Sequence, residues 1–125
     1  MQNARLLLLT TKGEFKEVQC GSLDDFYKHL ECDCFDIAHR KVGGKKSYDI
    51  FVDDMGLLKD NPIPTALDSR FKPMLVGNLI FANHDNEGNT TSLSDEDIEY
   101  IKGCKVWVCD TSEGGCRWVA WPIDY

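Results

Sequence analysis

Long hydrophobic runs are missing from the sequence. The leucine run from Leu6 to Leu9 spans four residues, whereas a helix that crosses a bilayer needs about 20 apolar residues. A single arginine precedes this run and Thr10 follows it, so it is also too short for the core of a signal peptide. We therefore expect a cytoplasmic protein with no membrane partner.

Basic residues are also scarce. The 14 Lys and Arg residues are outnumbered by 21 Asp and Glu residues, which gives a net charge of −7. Because binding to a nucleic-acid backbone depends on Lys and Arg near the phosphates, we expect no direct binding of nucleic acid. An acidic chain suits a basic partner surface, although modest acidity is also ordinary in a soluble protein.

The motifs of common enzyme and metal sites are absent. No HExxH motif, nucleophile elbow or phosphate-binding glycine loop occurs. Of the three histidines, His29 lies among charges on a predicted helix and His84 begins a loop. His39 is predicted on an apolar strand face next to Tyr48, as an edge histidine and not as a base. We therefore predict no enzymatic activity, no cofactor and no metal.

The six cysteines, in a chain without an export signal, are predicted to be reduced thiols. Cys32 and Cys34 would lie at the outer distance limit for a disulfide if their segment is extended. The spacings of five and seven between Cys104, Cys109 and Cys116 lack the closely paired ligands typical of zinc sites. A metal-stabilised element around these three cysteines is a further alternative.

Periodicity and capping signals predict an α+β fold. The 125 residues, 42% of them hydrophobic, suit one domain. Ser22 and Asp25 can form a capping box for a helix over residues 22–31, and the segment SLSDEDIEYIKGC predicts a second short helix. Apolar segments bounded by turn residues predict hairpins. We predict a mostly antiparallel sheet of hairpins with two short helices packed on it, in a single domain spanning residues 1–125.

One hairpin is predicted in detail. The glycine pair at 43–44 suits a two-residue turn, which would pair Val42 with Lys45. This register would place Arg40 diagonally across from Asp49 as a surface ion pair. A shift of one residue would exchange the two faces of the hairpin, so the register matters.

The following segment is predicted to combine turns, an irregular crossing and a strand. Residues 61–73 contain three prolines and predict an irregular crossing with one helical turn around Ala66. Residues 74–83 predict one central strand. The loop at 83–88 resembles a calcium-binding loop, but Ser94 replaces the bidentate glutamate. Four nearby carboxylates are not interpreted as metal ligands, because the segment lacks a histidine: Asp49 is predicted on the polar face of its strand, and Asp53, Asp54 and Asp60 in turns.

An acidic segment, residues 85–99, is the strongest charge feature and contains no Lys or Arg. Three of its acids lie where a helix N-terminus favours negative charge, so capping chemistry is one explanation. The other is a surface that presents carboxylates to a basic partner. The candidate partner-binding acids are Asp85, Glu87, Asp95, Glu96, Asp97 and Glu99.

The C-terminal hairpin is rich in Trp and Cys. If Cys109 pairs with Cys116, Trp107 lies opposite Trp118 on the same face, and both faces of the hairpin are apolar. We predict that the indole face packs into a core. A partner-binding or homodimer surface is the alternative.

A small basic patch, formed by Arg40, Lys41, Lys45 and Lys46, lies at the tip of the predicted 35–52 hairpin. It is too small for a nucleic-acid duplex but large enough for an anionic ligand.

The order of these segments resembles a family of small proteins of unknown function that are carried by phages and mobile elements of Firmicutes. The resemblance covers Leu6 to Ile101, and the residues after 104 are predicted to be an extension beyond the family pattern. It provides no catalytic residues. Its best-matching pieces are Asp54–Leu58, Asn61-Pro62, Ala66 and Val76–Leu79.

The resemblance implies a function. Small acidic proteins of mobile elements often inhibit host defence, as anti-CRISPR or antirestriction proteins, or sequester a signalling nucleotide. We expect a non-enzymatic protein that binds and inhibits a host protein, such as a nucleic-acid-binding one, through the acidic segment together with Trp107 and Trp118. A small-molecule or nucleotide-binding module that uses the basic patch is the alternative.

Overall fold

Two β-sheets and two helices form the fold. The computed structural model describes residues 3–55, 62–109 and 115–125. The helices are α1 (Leu23–Leu30) and α2 (Asp95–Gly103). The strands are β1 (Ala4–Leu9), β2 (Phe15–Cys20), β3 (Phe35–Val42), β4 (Lys46–Asp53), β5 (Pro64–Leu67), β6 (Pro73–Val76), β7 (Leu79–His84), β8 (Thr90–Thr91), β9 (Lys105–Cys109), β10 (Cys116–Ala120) and β11 (Ile123–Asp124).

The main sheet has the strand order β11-β3-β4-β7-β1-β2, with β8 paired to β7. The second sheet has the order β6-β5-β10-β9. Its β5–β10 contact is parallel, whereas the other pairings are antiparallel. The predicted α+β class, with a mostly antiparallel sheet and two short helices, is therefore confirmed.

The main sheet is covered on both faces. On one face α1 packs over Leu6 and Leu8 of β1, and on the other face α2 and the second sheet cover Leu7 and Leu9. The leucine run is thus apolar on both sides because it lies inside a three-layered structure. Strands buried on both faces are typically continuous apolar runs.

Both helices begin with a capping box, of which the one at Ser22 is predicted from the sequence. In α1 the carboxylate of Asp25 accepts hydrogen bonds from the backbone N–H groups of Gly21 (2.7 Å) and Ser22 (3.2 Å). In α2 the Asp97 N–H donates to Ser94 Oγ at 3.1 Å, and the Ser94 N–H donates back to Asp97 at 3.1 Å. Each side chain satisfies a backbone group that the helix itself leaves unpaired.

The predicted register of the β3–β4 hairpin is wrong. Its loop has three residues, Gly43 to Lys45, so Val42 pairs with Lys46 and every later pair moves by one position. Both glycines have positive φ, at 70° and 77°. Contacts from outside the hairpin hold the loop: Gly43 N–H donates to Pro122 O at 2.9 Å, and the Tyr100 hydroxyl donates to Val42 O at 2.6 Å.

The new register exchanges the faces of β4 and disproves one predicted ion pair. Tyr48 and Ile50 face α2 and the second sheet, while Phe51 faces α1. Arg40 lies opposite Tyr48, and Asp49 lies opposite His39. The predicted ion pair between Arg40 and Asp49, both of which the structure describes, therefore does not form.

The segment after β4 also differs from prediction. Ala66 belongs to strand β5 and not to a helical turn. The predicted single strand at 74–83 is divided between β6 of the second sheet and β7 of the main sheet, with Gly77 between them at a φ of 77°. Asp53 forms the predicted turn and accepts from Met55 N–H at 2.9 Å. The predicted turn residues Gly56, Asp60 and their neighbours at 56–61 lie outside the described residues.

The C-terminal hairpin has the predicted register, with Cys109 opposite Cys116 and Trp107 opposite Trp118. It is built into both sheets, since β10 pairs with β5 of the second sheet and β11 pairs with β3 of the main sheet. The residues after 104 therefore complete the two sheets of the fold.

The two adjacent glycines of the β3–β4 loop give a matched test of this packing. A Cβ at Gly43 would lie 2.6 Å from Cys104 Sγ and closer still to the Tyr100 hydroxyl, whereas a Cβ at Gly44 meets no described atom within 4 Å. Gly44→Ala should cost about 1 kcal/mol for its left-handed backbone. Gly43→Ala should cost about 1–3 kcal/mol more because of the clash. Urea unfolding of both variants measures this difference, and equal costs would contradict the packing.

Candidate functional site

An open groove lies on the face of the main sheet that α1 partly covers. Its volume is about 700 Å³, and it runs between α1 and the β7–β8 turn. Its described lining consists of Leu23, Phe26, Phe35, Ile37, Phe51, Asp85, Gly88, Asn89, Thr90 and Thr91. A concave apolar surface with a few polar groups at its rim is typical of ligand sites.

Three side chains from adjacent strands meet on the same face of the sheet. His39 of β3 lies opposite Asp49 of β4, and Asp49 lies opposite Ala82 of β7, two residues before His84. We call His39, Asp49 and His84 the His–Asp–His cluster. Because alternate residues of a strand share a face, the cluster continues the face that carries Phe51 in the groove.

The carboxylate at the centre of the cluster is shared by both rings. His39 Nδ1 lies 2.9 Å from Asp49 Oδ1, and His84 Nδ1 lies 3.1 Å from Asp49 Oδ2. An ionised carboxylate only accepts hydrogen bonds, so both Nδ1 atoms donate. The Asp49 side chain is 15% exposed, whereas the rings of His39 and His84 are 58% and 43% exposed.

Sequence reasoning missed this cluster. It placed His39 on the apolar face beside Tyr48, which the observed register contradicts because Tyr48 is on the opposite face. The lack of a histidine in the segment around Asp49 was also misleading, because both histidines beside it come from other strands. A three-residue loop would have revealed the His39–Asp49 pair, but His84 requires the β4–β7 pairing, which no local signal indicates.

The acidic segment does not form one surface of free carboxylates. Asp95 forms an ion pair with Arg5 at 2.7 Å. Asp85 accepts from the backbone N–H groups of Glu87 and Asn89, both at 2.9 Å, so it stabilises its own turn. These backbone hydrogen bonds, that of Asn89 first, lower the pKa of Asp85.

Of the six predicted partner-binding acids, Asp97 accepts hydrogen bonds from the largest number of other residues. Its carboxylate accepts from the Tyr48 hydroxyl at 2.7 Å, from Asn83 Nδ2 at 2.9 Å and from Ser94. Burial alone would raise the pKa of Asp97, but these hydrogen bonds outweigh it and lower the pKa to about 2. Asp97 thus connects α2 with β4 and β7, a structural role that sequence reasoning did not separate from the partner-binding prediction.

The other three acids, Glu87, Glu96 and Glu99, are exposed. Within the part of the chain that the structure describes, their side-chain carboxylates make no hydrogen bond or ion pair. They are the members of the predicted set that remain available to a partner.

The indole face of the C-terminal hairpin is exposed, so the predicted core packing is wrong. Trp107 and Trp118 are 54% and 39% exposed, and their rings meet edge to face at a centroid distance of 5.2 Å. Lys105 Nζ lies 4.7 Å from the centre of the Trp118 ring. The opposite face carries Val119, which is fully buried. The hairpin therefore has one buried side and one exposed aromatic side.

One pair of cysteines departs from the predicted reduced state. Cys109 and Cys116 form a disulfide bond across the hairpin. The other four, Cys20, Cys32, Cys34 and Cys104, are free thiols. Burial raises the pKa of Cys20 to about 11, which makes this thiol unreactive.

The side chains of the basic patch do not all point in the same direction. Adjacent strand residues point to opposite faces, so Arg40 and Lys41 do not converge. The Arg40 guanidinium lies 4.3 Å from the centre of the Tyr125 ring, and Lys46 Nζ lies 5.3 Å from that of Tyr100. Two of the four predicted anion contacts, Arg40 and Lys46, are therefore engaged with aromatic rings, and the other two are Lys41 and Lys45.

Together these features define a small α+β domain with an open groove on one face and an exposed aromatic hairpin on the other sheet. Residues 4–104 match the family described as Domain of unknown function (DUF3846), and the chain belongs to this family. No curated protein and no solved structure matches the chain. Neither helix in the described part of the chain is long and apolar enough to cross a bilayer.

The Asp97 network predicts a pH-dependent contribution to stability. The pKa of Asp97 is lowered from about 3.9 in the unfolded chain to about 2 in the fold. Its stabilisation is therefore complete above about pH 4 and is lost as the pH falls through 2. Asp97→Asn should lower the free energy of unfolding by about 1–2 kcal/mol at pH 7, and the difference from the parent should shrink between pH 4 and pH 2.

Urea unfolding between pH 7 and pH 2 measures this difference. Glu96→Gln is the matched control, because Glu96 is an exposed acid in the same helical turn. A cost for Asp97→Asn that stays constant over the whole pH range would show that the carboxylate charge is not what stabilises the network.

Proposed function

We propose that the protein is a non-enzymatic protein of a phage or mobile element of Firmicutes that binds and inhibits a host protein in the bacterial cytoplasm. The inhibition would be of the anti-defence kind, such as anti-CRISPR or antirestriction activity. The exposed indole pair of Trp107 and Trp118 is the observation that carries the proposal.

Two exposed tryptophans in contact are costly for a soluble protein to keep. Exposed apolar patches mark interaction sites, and tryptophan is enriched among the residues that dominate binding energy. The pair also needs little ordering on binding. The antiparallel pairing of β9 with β10 sets Trp107 opposite Trp118, and β10 is anchored by β5. A preformed platform loses less conformational entropy when a partner binds.

Charge indicates the kind of partner. The net charge of −7 and the exposed carboxylates of Glu87, Glu96 and Glu99 suit a basic protein surface, such as one that binds nucleic acid. Complementary charge mainly increases the rate of encounter and the discrimination between partners. The indoles would then supply most of the affinity.

A small-molecule binding module is the second candidate, and the groove beside α1 favours it. Ile37, which is half exposed, and Phe51 provide an apolar floor. Asp85 is the charged residue among the described lining, and the members of the basic patch are not part of it. This lining favours a neutral, largely apolar ligand over a nucleotide.

The indole pair can be tested by capture and reconstitution. Tagged protein should capture a specific protein from a Firmicutes host lysate, identified by mass spectrometry, and should bind the purified partner directly. The double variant Trp107→Ala/Trp118→Ala should weaken this binding by about 2 kcal/mol or more, or at least about 30-fold. Calorimetry with the purified partner gives the dissociation constant.

Leu23→Ala is the matched control, because Leu23 is 58% exposed and lies on α1 against the other face of the main sheet. Glu96→Lys/Glu99→Lys should slow association more than it speeds dissociation. Equal affinity of the double tryptophan variant and the parent would remove the indole pair from the proposal. A dimer of this chain that the same variant dissociates would identify a second copy as the partner instead.

The groove can be tested by thermal shift. A neutral ligand present at 100 times its dissociation constant should add about 2.7 kcal/mol to the stability of the fold. Ile37→Glu, which places a charge on the groove floor, should abolish the shift, whereas the matched exposed change Lys28→Glu on α1 should leave it unchanged. A ligand whose shift survives Ile37→Glu binds elsewhere and would contradict this candidate.

A further inference from the structure

The chemistry of the His–Asp–His cluster suggests a role that partner binding does not use. We infer that His39, Asp49 and His84 form a binding site for a divalent first-row transition-metal ion of the zinc class. Two imidazoles and one carboxylate form a donor set that suits such ions. The inference is independent of the proposed function, because the indole pair lies on the second sheet.

The distances within the cluster fit one ion. Zinc lies about 2.0–2.1 Å from its nitrogen and oxygen ligands. Neighbouring ligand atoms around such an ion are therefore about 2.8–3.4 Å apart for bond angles between 90° and 109°. The two measured Nδ1–Oδ distances are 2.9 and 3.1 Å, and an ion can replace both hydrogen bonds once each neutral ring carries its proton on Nε2. One ligand atom from each of the three residues lies within 4.8 Å of the others.

The main sheet holds the ligands in advance. The three residues belong to neighbouring strands, β3, β4 and β7, whose pairing fixes their backbone positions. Asp49 is mostly buried and defines the floor, while the exposed rings of His39 and His84 can turn by the small angles that coordination requires. Sites built on rigid strands lose less entropy when they bind.

The donor set also discriminates between ions. Calcium and magnesium prefer sites made of oxygen ligands, and this cluster offers two nitrogens. Three protein ligands leave a coordination position for water or for a further ligand atom, as in open zinc sites. The exposure of both rings gives an ion and such a ligand direct access from solvent.

The experiment uses the full chain, with any affinity tag removed, after treatment with EDTA and dialysis. Zinc titrated by calorimetry should bind with a stoichiometry of one per chain and raise the melting temperature. His39→Ala and His84→Ala should each weaken binding at least about tenfold, because even the loss of an outer-sphere partner costs about 10–100-fold. The third histidine of the chain provides the control: His29→Ala, on α1, should bind zinc like the parent.

Cobalt distinguishes this site from the thiols. A Co²⁺ complex of the cluster should show weak d–d bands without the intense sulfur-to-metal charge-transfer bands of thiolate ligation. Such charge-transfer bands, or zinc affinity that is unchanged in both cluster variants, would overturn the inference, as would the absence of saturable binding below millimolar zinc. Because both rings are exposed, the variants are expected to stay folded, and unchanged circular dichroism and urea midpoints without metal verify this.

Discussion

The register of the β3–β4 hairpin is the constraint on which the rest of the structure depends. Two hydrogen bonds hold its three-residue loop in place: one from Gly43 N–H to Pro122 O and one from the Tyr100 hydroxyl to Val42 O. This register turns Tyr48 toward Asp97 and brings Asp49 opposite His39. A shift of one position would exchange both faces and remove both interactions.

Contacts of the central strands then position the remaining layers of the fold. Tyr48 of β4 and Asn83 of β7 both donate to Asp97, so one carboxylate fixes α2 against two strands. The C-terminal segment closes the same region, because β11 pairs with β3 and β10 pairs with β5. The family match ends at residue 104, yet the strands that follow it complete both sheets.

Local signals predicted the parts of the fold that depend on neighbours in sequence. The capping box at Ser22, the second short helix and the pairing of Trp107 with Trp118 follow from short spacings, and the structure confirms them. The predicted length of the β3–β4 loop was wrong because contacts with α2 and with Pro122 determine the observed length. The division of residues 74–83 between two sheets and the approach of His84 to Asp49 are long-range effects that no local pattern encodes.

The size of α1 limits how much of the main sheet it can cover. A helix of eight residues is about 12 Å long and about 10 Å wide. Six strands side by side, each of about six residues, present a face of roughly 24 by 20 Å. The helix can therefore cover only about a quarter of that face, at any angle to the strands. The rest of that face, with the His–Asp–His cluster on it, is left to solvent, in agreement with the exposure of both imidazole rings.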